Sequence, residues 1–595
     1  MNNPLGRLGH MGIAPQADFV TPVVASDYMK FKSESLELKI EDIVLDSINN
    51  IQDESESIAG SGVVAGATVH EVHPVGLGYI LRSWAGQPIS MERPSFVVTA
   101  ANKFLDFDIG STELVATVAE GTYLAGANQL VAGSLCKAIF DAIVSAEAVG
   151  TYIVSFSSST KKFTIARSTG TVQANWKTGT HGSDNLNTNI GTLLGFTITA
   201  NSAEAASITS DSAVSMTYQH IFTPPAFSVP SARKGTATAG STTSLTLGTA
   251  AWTVNQWAGW WLHIYEGTGL NQYLPILSNT ATVLTFATAV APSTDSVFEI
   301  LPGPENSVLP PYTIEVDRNI HGSTAGFQYQ GLVANKLAFK FGVSSKVLDL
   351  TVDWLGKDVA NIAPSTVTLP TTEPFKWSRA KIGIGTYASG TATGGSATTV
   401  INAVAGFTVD ALIGKLVMKS NATGTKQEVR PVTDNDATTI TVSPGFVDAA
   451  IATDVYEVFN CPDIAESLDF NLENGLAALP TLNYSNRISR IVGDAFRTGS
   501  ATASVIPQDI TDYATYYVGW TSRRWLVWFQ GQQVTGNHYH EVAFLFPKVL
   551  MTAYPVKIGG AGRVMVAIAA KLKYDSTYGY LVKAWLNTDK VTFAS

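Results

Sequence analysis

Charge is the first thing this chain is short of. Only 14% of its 595 residues are Asp, Glu, Lys or Arg, against about 25% in an average soluble protein. A disordered chain needs high charge and low hydrophobicity, and with 45% hydrophobic residues this one has neither. The formal charge of −10 speaks against nonspecific nucleic-acid binding, which depends on Lys and Arg neutralising phosphates. Cysteine is scarcer still: two in the whole chain exclude a disulfide scaffold and offer no zinc spacing. No apolar run reaches the ~18 residues of a membrane helix. The opening stretch MNNPLGRLGHMGIAPQADF has no apolar signal core, so synthesis and retention in the cytoplasm are expected.

What is present is alternation. SLELKIEDIV (35–44), VLDLTVDWLG (347–356), SLDFNLENGL (467–476) and VMVAIAAKLKYD (564–575) place apolar residues at every second position, the pattern of strands with one buried face. Helical periodicity appears only around 77–86, 129–147 and 508–520. The length predicts several domains, since single cores rarely exceed ~250–300 residues. The fold class that follows is mainly β.

Two repeats organise the chain. GTATAGSTTSLTL (235–247) and GTATGGSATTVIN (390–402) open two segments that stay in step until VFEIL (297–301) and VYEVF (455–459). Each segment has the size of one small all-β domain. A fainter repeat sets Glu34–Asp42 against Glu466–Asn474 and Gly66–Val72 against Gly499–Val505. Downstream, a helix and a pair of strands (327–341, 347–355; 539–553, 563–574) recur in the same order. The chain therefore reads as two copies of one strand–strand–helix–strand–strand module with smaller domains inserted. The expected division begins with an N-terminal arm, 1–30, ordered only against a neighbour. The first module lies in three pieces, 31–106, 201–232 and 303–360, interrupted by an α+β domain at 107–200 and a β domain at 233–302. A linker (361–388), a second β domain (389–460) and the second module (461–595) follow.

These stretches resemble the major tail tube proteins of long, flexible-tailed bacteriophages. The likeness is carried by ESLELKIED (34–42), GSGVVAGATVHEVHPVGLGYILRSWAG (60–86), FQYQGLVANKLAFKF (327–341) and LDLTVDWLGKD (348–358) in the first half. In the second half it is carried by ESLDFNLENGL (466–476) and residues 540–587. The small domains look like the β decorations that recur in phage structural proteins. The resemblance implies a β-sandwich flanked by a helix in each module, with strands joining between subunits into a ring around a channel. Six modules per ring is usual in the family, so a two-module chain implies a trimer with pseudo-sixfold symmetry. It further implies a virion location in the tail, a tape measure protein and tail terminator and distal tail proteins as partners, and genomic duplex DNA passing through without specific binding.

Alternation supplies candidate channel-facing residues: Glu37, Lys39 and Glu41; Asp349 and Asp353; Asp469, Asn471 and Glu473; and Lys571. The expectation is a mainly acidic wall, which keeps a duplex moving where lysines would hold it. Residues 34–56 are the most acidic stretch, and Asp46, Asp53, Glu54 and Glu56 are candidates for a loop reaching the next ring. His538 and His540 share one side of a strand but have no third metal ligand at useful spacing. WAGWWLHIYEG (257–267) offers sugar-stacking rings, yet its repeat partner is LIGKLVMKSNA (412–422), which favours a core role. No catalytic fingerprint occurs, and the reading is a structural protein without enzyme activity or cofactor. The alternative is a virion or cell-surface structural protein that binds a receptor or glycan.

Overall fold

The computed structural model describes the chain except residues 1–7, 45–56, 111, 225–233, 253, 255–256, 258–259, 302–308, 321–324, 364, 366, 463–464, 481–484, 507–510, 557–563 and 594–595. The fold is mainly β. Its central body uses β1 (His10–Pro15), β2 (Glu37–Val44), β3 (Ser57–Glu71), helix α1 (Pro74–Ala85), β4 (Tyr218–Phe222), β5 (Tyr312–Asp317), β6 (Gly326–Gly342), β7 (Asp349–Gly356) and β8 (Asp358–Ile362). The second half contributes β9 (Ala380–Ile384), β10 (Ala465–Glu473), β11 (Thr498–Val505), β12 (Arg523–Thr535), β13 (His538–Ala553), β14 (Val566–Lys573) and β15 (Lys583–Thr588).

Hydrogen-bond registers reveal one plan used twice. Antiparallel pairing gives one layer, the wall, the order β2-β3-β7-β6 in the first half and β10-β11-β14-β13 in the second. A second layer runs β1-β5-β6-β8 and again β9-β12-β13-β15. The long strands β6 and β13 belong to both layers. In β6, residues 326–330 lie between β5 and β8, and residues 336–340 lie between β7 and β10. Gly331 marks the change of layer with φ +68, where a Cβ would meet the Phe19 carbonyl oxygen at 2.8 Å. In β13 the corresponding change falls at Pro547, between the β15 and β14 pairings, where the missing N–H costs no ladder bond.

One apolar cluster joins both halves. Leu337 and Phe339 of β6, Leu350 and Trp354 of β7, Phe470 of β10, and Phe544 and Phe546 of β13 meet α1 through Leu77, Ile80 and Trp84. The helix starts on Pro74 and ends at Gly86, whose N–H returns to the Arg82 carbonyl. The helix expected at 129–147 is α2 (Leu135–Ala146), capped by Ser134, whose hydroxyl accepts from the Lys137 N–H; residues before it form turns. The third expected helix is a short π-helix, Asp512–Val518, and residues 507–510 lie outside the described ones.

Several expected boundaries shift. In the expected arm 1–30, the described part is ordered within its own chain: His10–Pro15 pairs with β5, and Met11 and Ile13 fill the core. The linker 361–388 contains β9, held by β12, with Ile382 and Ile384 buried. The connecting piece 201–232 supplies β4, which extends the second unit's outer layer by pairing with β15 and with Ile89–Glu92. The α+β domain is wider than 107–200, since its core runs from Phe96 to Tyr218 around α2. Residues 234–301 and 386–459 form two seven-stranded small domains with the same strand order, each around its own core.

Candidate functional site

The wall is one sheet of eight strands, because β6 pairs with β10 and fuses the two four-stranded units. One face is the core just described. Directly opposed residues of antiparallel strands share a face, so the registers define what lies on the other. One row across the seam reads Asp353, Lys336, Glu473, Thr498. A second reads Asp349, Lys340, Asp469, Thr502, and between them runs Thr351, Ala338, Asn471, Ser500, Lys571. On β2, Glu37 and Lys39 sit 3.6 Å apart, and Glu41 accepts from the Ser61 N–H and hydroxyl. The nine residues singled out by alternation thus share this polar face.

The expected acidic character needs correction. Lys336 and Lys340 each stand between two carboxylates of the neighbouring strands, and Lys548, Lys571 and Lys573 populate the far end. Burial raises the Asp469 carboxyl, with Lys340 opposing that shift. Lys32 lies 2.7 Å from Asp349, which holds the ammonium in its charged form. The rows at the seam mix both signs, with Lys336 and Lys340 each in register between acids, whereas at the far end Lys548 stands directly opposite Lys573. The lysines of β6 escaped the sequence reading because this strand changes neighbours halfway, with a bulge between Ala334 and Lys336 that resets its alternation. Asp46, Asp53, Glu54 and Glu56 lie outside the described residues.

The two ends of the wall differ from its middle. At the seam, β10 is covered on both sides: Leu468, Phe470 and Leu472 are fully buried, and Phe339 stacks on Phe470 at 4.6 Å. Its counterpart β2 pairs only with β3 among the described residues. Ile40, Ile43 and Val44 of β2 are consequently exposed, Ile40 by 51%. At the opposite end, residues 550–553 of β13 pair with β14 alone among the described residues. Among the described residues the first and last strands of this sheet thus each keep one unpaired edge, the condition that invites pairing with another chain.

Other candidate chemistry is occupied by structure. His538 is buried, with its Nδ1 hydrogen-bonded to the Thr217 hydroxyl at 2.5 Å. Among the described residues no group of three or more His, Cys, Asp or Glu side chains is arranged to hold a metal ion. Cys136 is buried, which pushes its thiol up to about 12, away from nucleophilic use at neutral pH. No helix among the described residues is long and apolar enough to cross a membrane. Compared with known proteins, the chain matches no family model and no curated protein.

Proposed function

We propose that this chain is a structural protein that assembles with copies of itself, three chains closing edge to edge into a ring and rings stacking into the tail tube of a long flexible-tailed phage. The observation that carries the reading is the seam between β6 and β10. Within one chain, the last wall strand of the first unit already pairs with the first wall strand of the second. Repeating that seam between chains sets β13 beside β2 of the next copy, and covers the apolar residues of β2 as β6 covers those of β10.

Eight wall strands per chain and three chains make about 24 strands, which at ~4.8 Å spacing and ~40° tilt gives a ring roughly 45–50 Å between backbones. Side chains leave a bore of about 35 Å, wider than a DNA duplex. The polar face would line it, wet and mixed in sign at the seam, with three lysines gathered at its far end. The chain would then reside in the virion tail and conduct genomic DNA, with the partners inside and at the ends of the tube that the resemblance implies.

Negative-stain electron microscopy of the purified chain tests the proposal. Stacked rings of constant diameter with an open channel support it; discrete monomers across the accessible concentration range contradict it.

A further inference from the structure

The two small domains share a fold but treat one face differently. In the second domain, the sheet face turned away from its own core carries Leu416, Met418, Val429 and Phe459. That face is sealed against Leu526, Trp528, Leu545 and Trp585 of the outer layer. The registers locate the matching positions in the first domain. Trp261 opposes Pro275 as Leu416 opposes Pro431, and His263 opposes Tyr273 and Glu299 as Met418 opposes Val429 and Glu457. Leu, Met and Val are thus replaced by Trp, His and Tyr. Here the face is open: Tyr273 is 54% and Tyr265 39% exposed, and none of these rings joins the domain's core.

Among the described residues, nothing seats this face. The comparable outer surface of the first unit, on β5 and β6, carries Thr313, Glu315 and Gln328 rather than apolar residues. It is also already covered: Thr313 accepts from the Val23 N–H, and Glu315 accepts from the Ala25 N–H and the Ser365 hydroxyl.

We propose that this aromatic face of the first small domain, centred on Tyr273, His263 and Tyr265, is a saccharide-binding site. Aliphatic side chains suit permanent dry packing, as in the twin domain. Rings with polar tips tolerate water when free and stack against the C–H face of a pyranose when occupied. His263 and Tyr273 are stacked on each other at 4.1 Å with planes 9° apart, so the platform is set before a sugar arrives. Polar groups for hydroxyls adjoin it. Glu299 lies 3.0 Å from the Lys234 ammonium and 3.1 Å from His263 Nδ1, and these neighbours hold its carboxyl below its ordinary value. The anion offers acceptor oxygens, and the exposed Lys234 a donor. A protein partner would be expected to need a wider apolar centre than one ring cluster.

The test uses the full chain on an array of glucose, N-acetylglucosamine and galacturonate oligomers, then titration of the best-bound oligomer followed by tryptophan fluorescence. Saturable binding is expected, weakened roughly tenfold or more in Tyr273→Ala at unchanged melting temperature and retained in Tyr273→Trp. Three results overturn the proposal: no binding to any of these oligomers, binding that Tyr273→Ala leaves intact, or a change in self-association caused by Tyr273→Ala. The last would make a second copy the occupant of this face. The inference concerns a domain outside the wall and stands or falls apart from ring assembly.

Discussion

Replacing Ile40 by Asp probes the open edge of the wall. In the isolated chain Ile40 is already 51% exposed, so the change forfeits about half of the ~1.5–3 kcal/mol that full burial of such a side chain is worth. In a ring, the β13 edge of the next copy would cover the remainder. The variant would then lose about another 1 kcal/mol of burial and would have to desolvate a carboxylate at ~1–3 kcal/mol. The penalty specific to each seam is therefore about 2–4 kcal/mol, a factor of roughly 30 to 1,000 in the association constant. A ring needs every seam at once, so assembly should vanish while the fold persists. Melting temperature and sedimentation velocity on the same sample separate the two effects. The expected result is a melting point lowered by a few degrees with no rings; rings as abundant as in the unchanged chain would refute the reasoning. Phe470→Ala is the control, because its ring is already fully buried inside the chain, and its loss should cost about 3–5 kcal/mol of folding stability irrespective of assembly.

Three further outcomes are expected. Lys340→Glu places three carboxylates in one row with Asp349 and Asp469, lowering the urea midpoint by about 1 kcal/mol of stability; adding Asp469→Lys should restore it, and additive losses in the double variant would contradict the ladder. Arg430→Met removes the buried cation 2.7 Å from Glu541 and 3.4 Å from Glu428, costing about 3–5 kcal/mol in a denaturant titration. Burial alone would raise Glu428, but Arg93, Arg430 and Lys419 outweigh it and hold the carboxyl below its ordinary 4.5; this contribution is present above pH 4.5 and lost as pH falls below it, and Arg430→Met should weaken that acid dependence. Burial lowers His70, His220 and His538 to about 4 each, so all three are neutral in the folded chain where the unfolded chain binds protons. Stability should be complete above pH 6.5 and fall steadily toward pH 4; a flat melting temperature across that window would contradict their burial.

What the sequence disclosed follows from which strands see one solvent face. The strands β2, β7, β10 and β14 carry polar residues on one side and apolar on the other, so their type and facing were legible at once. The short strand β4 was not, because it is buried on both sides with Gln219 and His220 satisfied internally, and its YQHIF does not alternate; β5 does alternate, but Thr313 and Glu315 on its polar side are satisfied internally rather than by solvent. The strand β6 hid its lysines behind a bulge and a change of layer at Gly331. In hindsight Gly331 and Pro547 were the available signals, since each interrupts an otherwise strong strand pattern at the same topological point. The aromatic run 257–267 was half legible: Trp257, Leu262 and Ile264 are core as expected, while Tyr265, next after Ile264, faces outward. Pairing of β4 with β15, more than 360 positions downstream, leaves no local trace of any kind.

The most direct test of the central claim is a cryo-electron microscopy reconstruction of the assembled chain that identifies the neighbour of β2. Residues 550–553 of β13 from an adjacent copy are expected there, antiparallel to β2, in a continuous ring of strands with Ile40 buried at the seam. A β2 edge left facing solvent in the assembly, or paired with any other element, would contradict it.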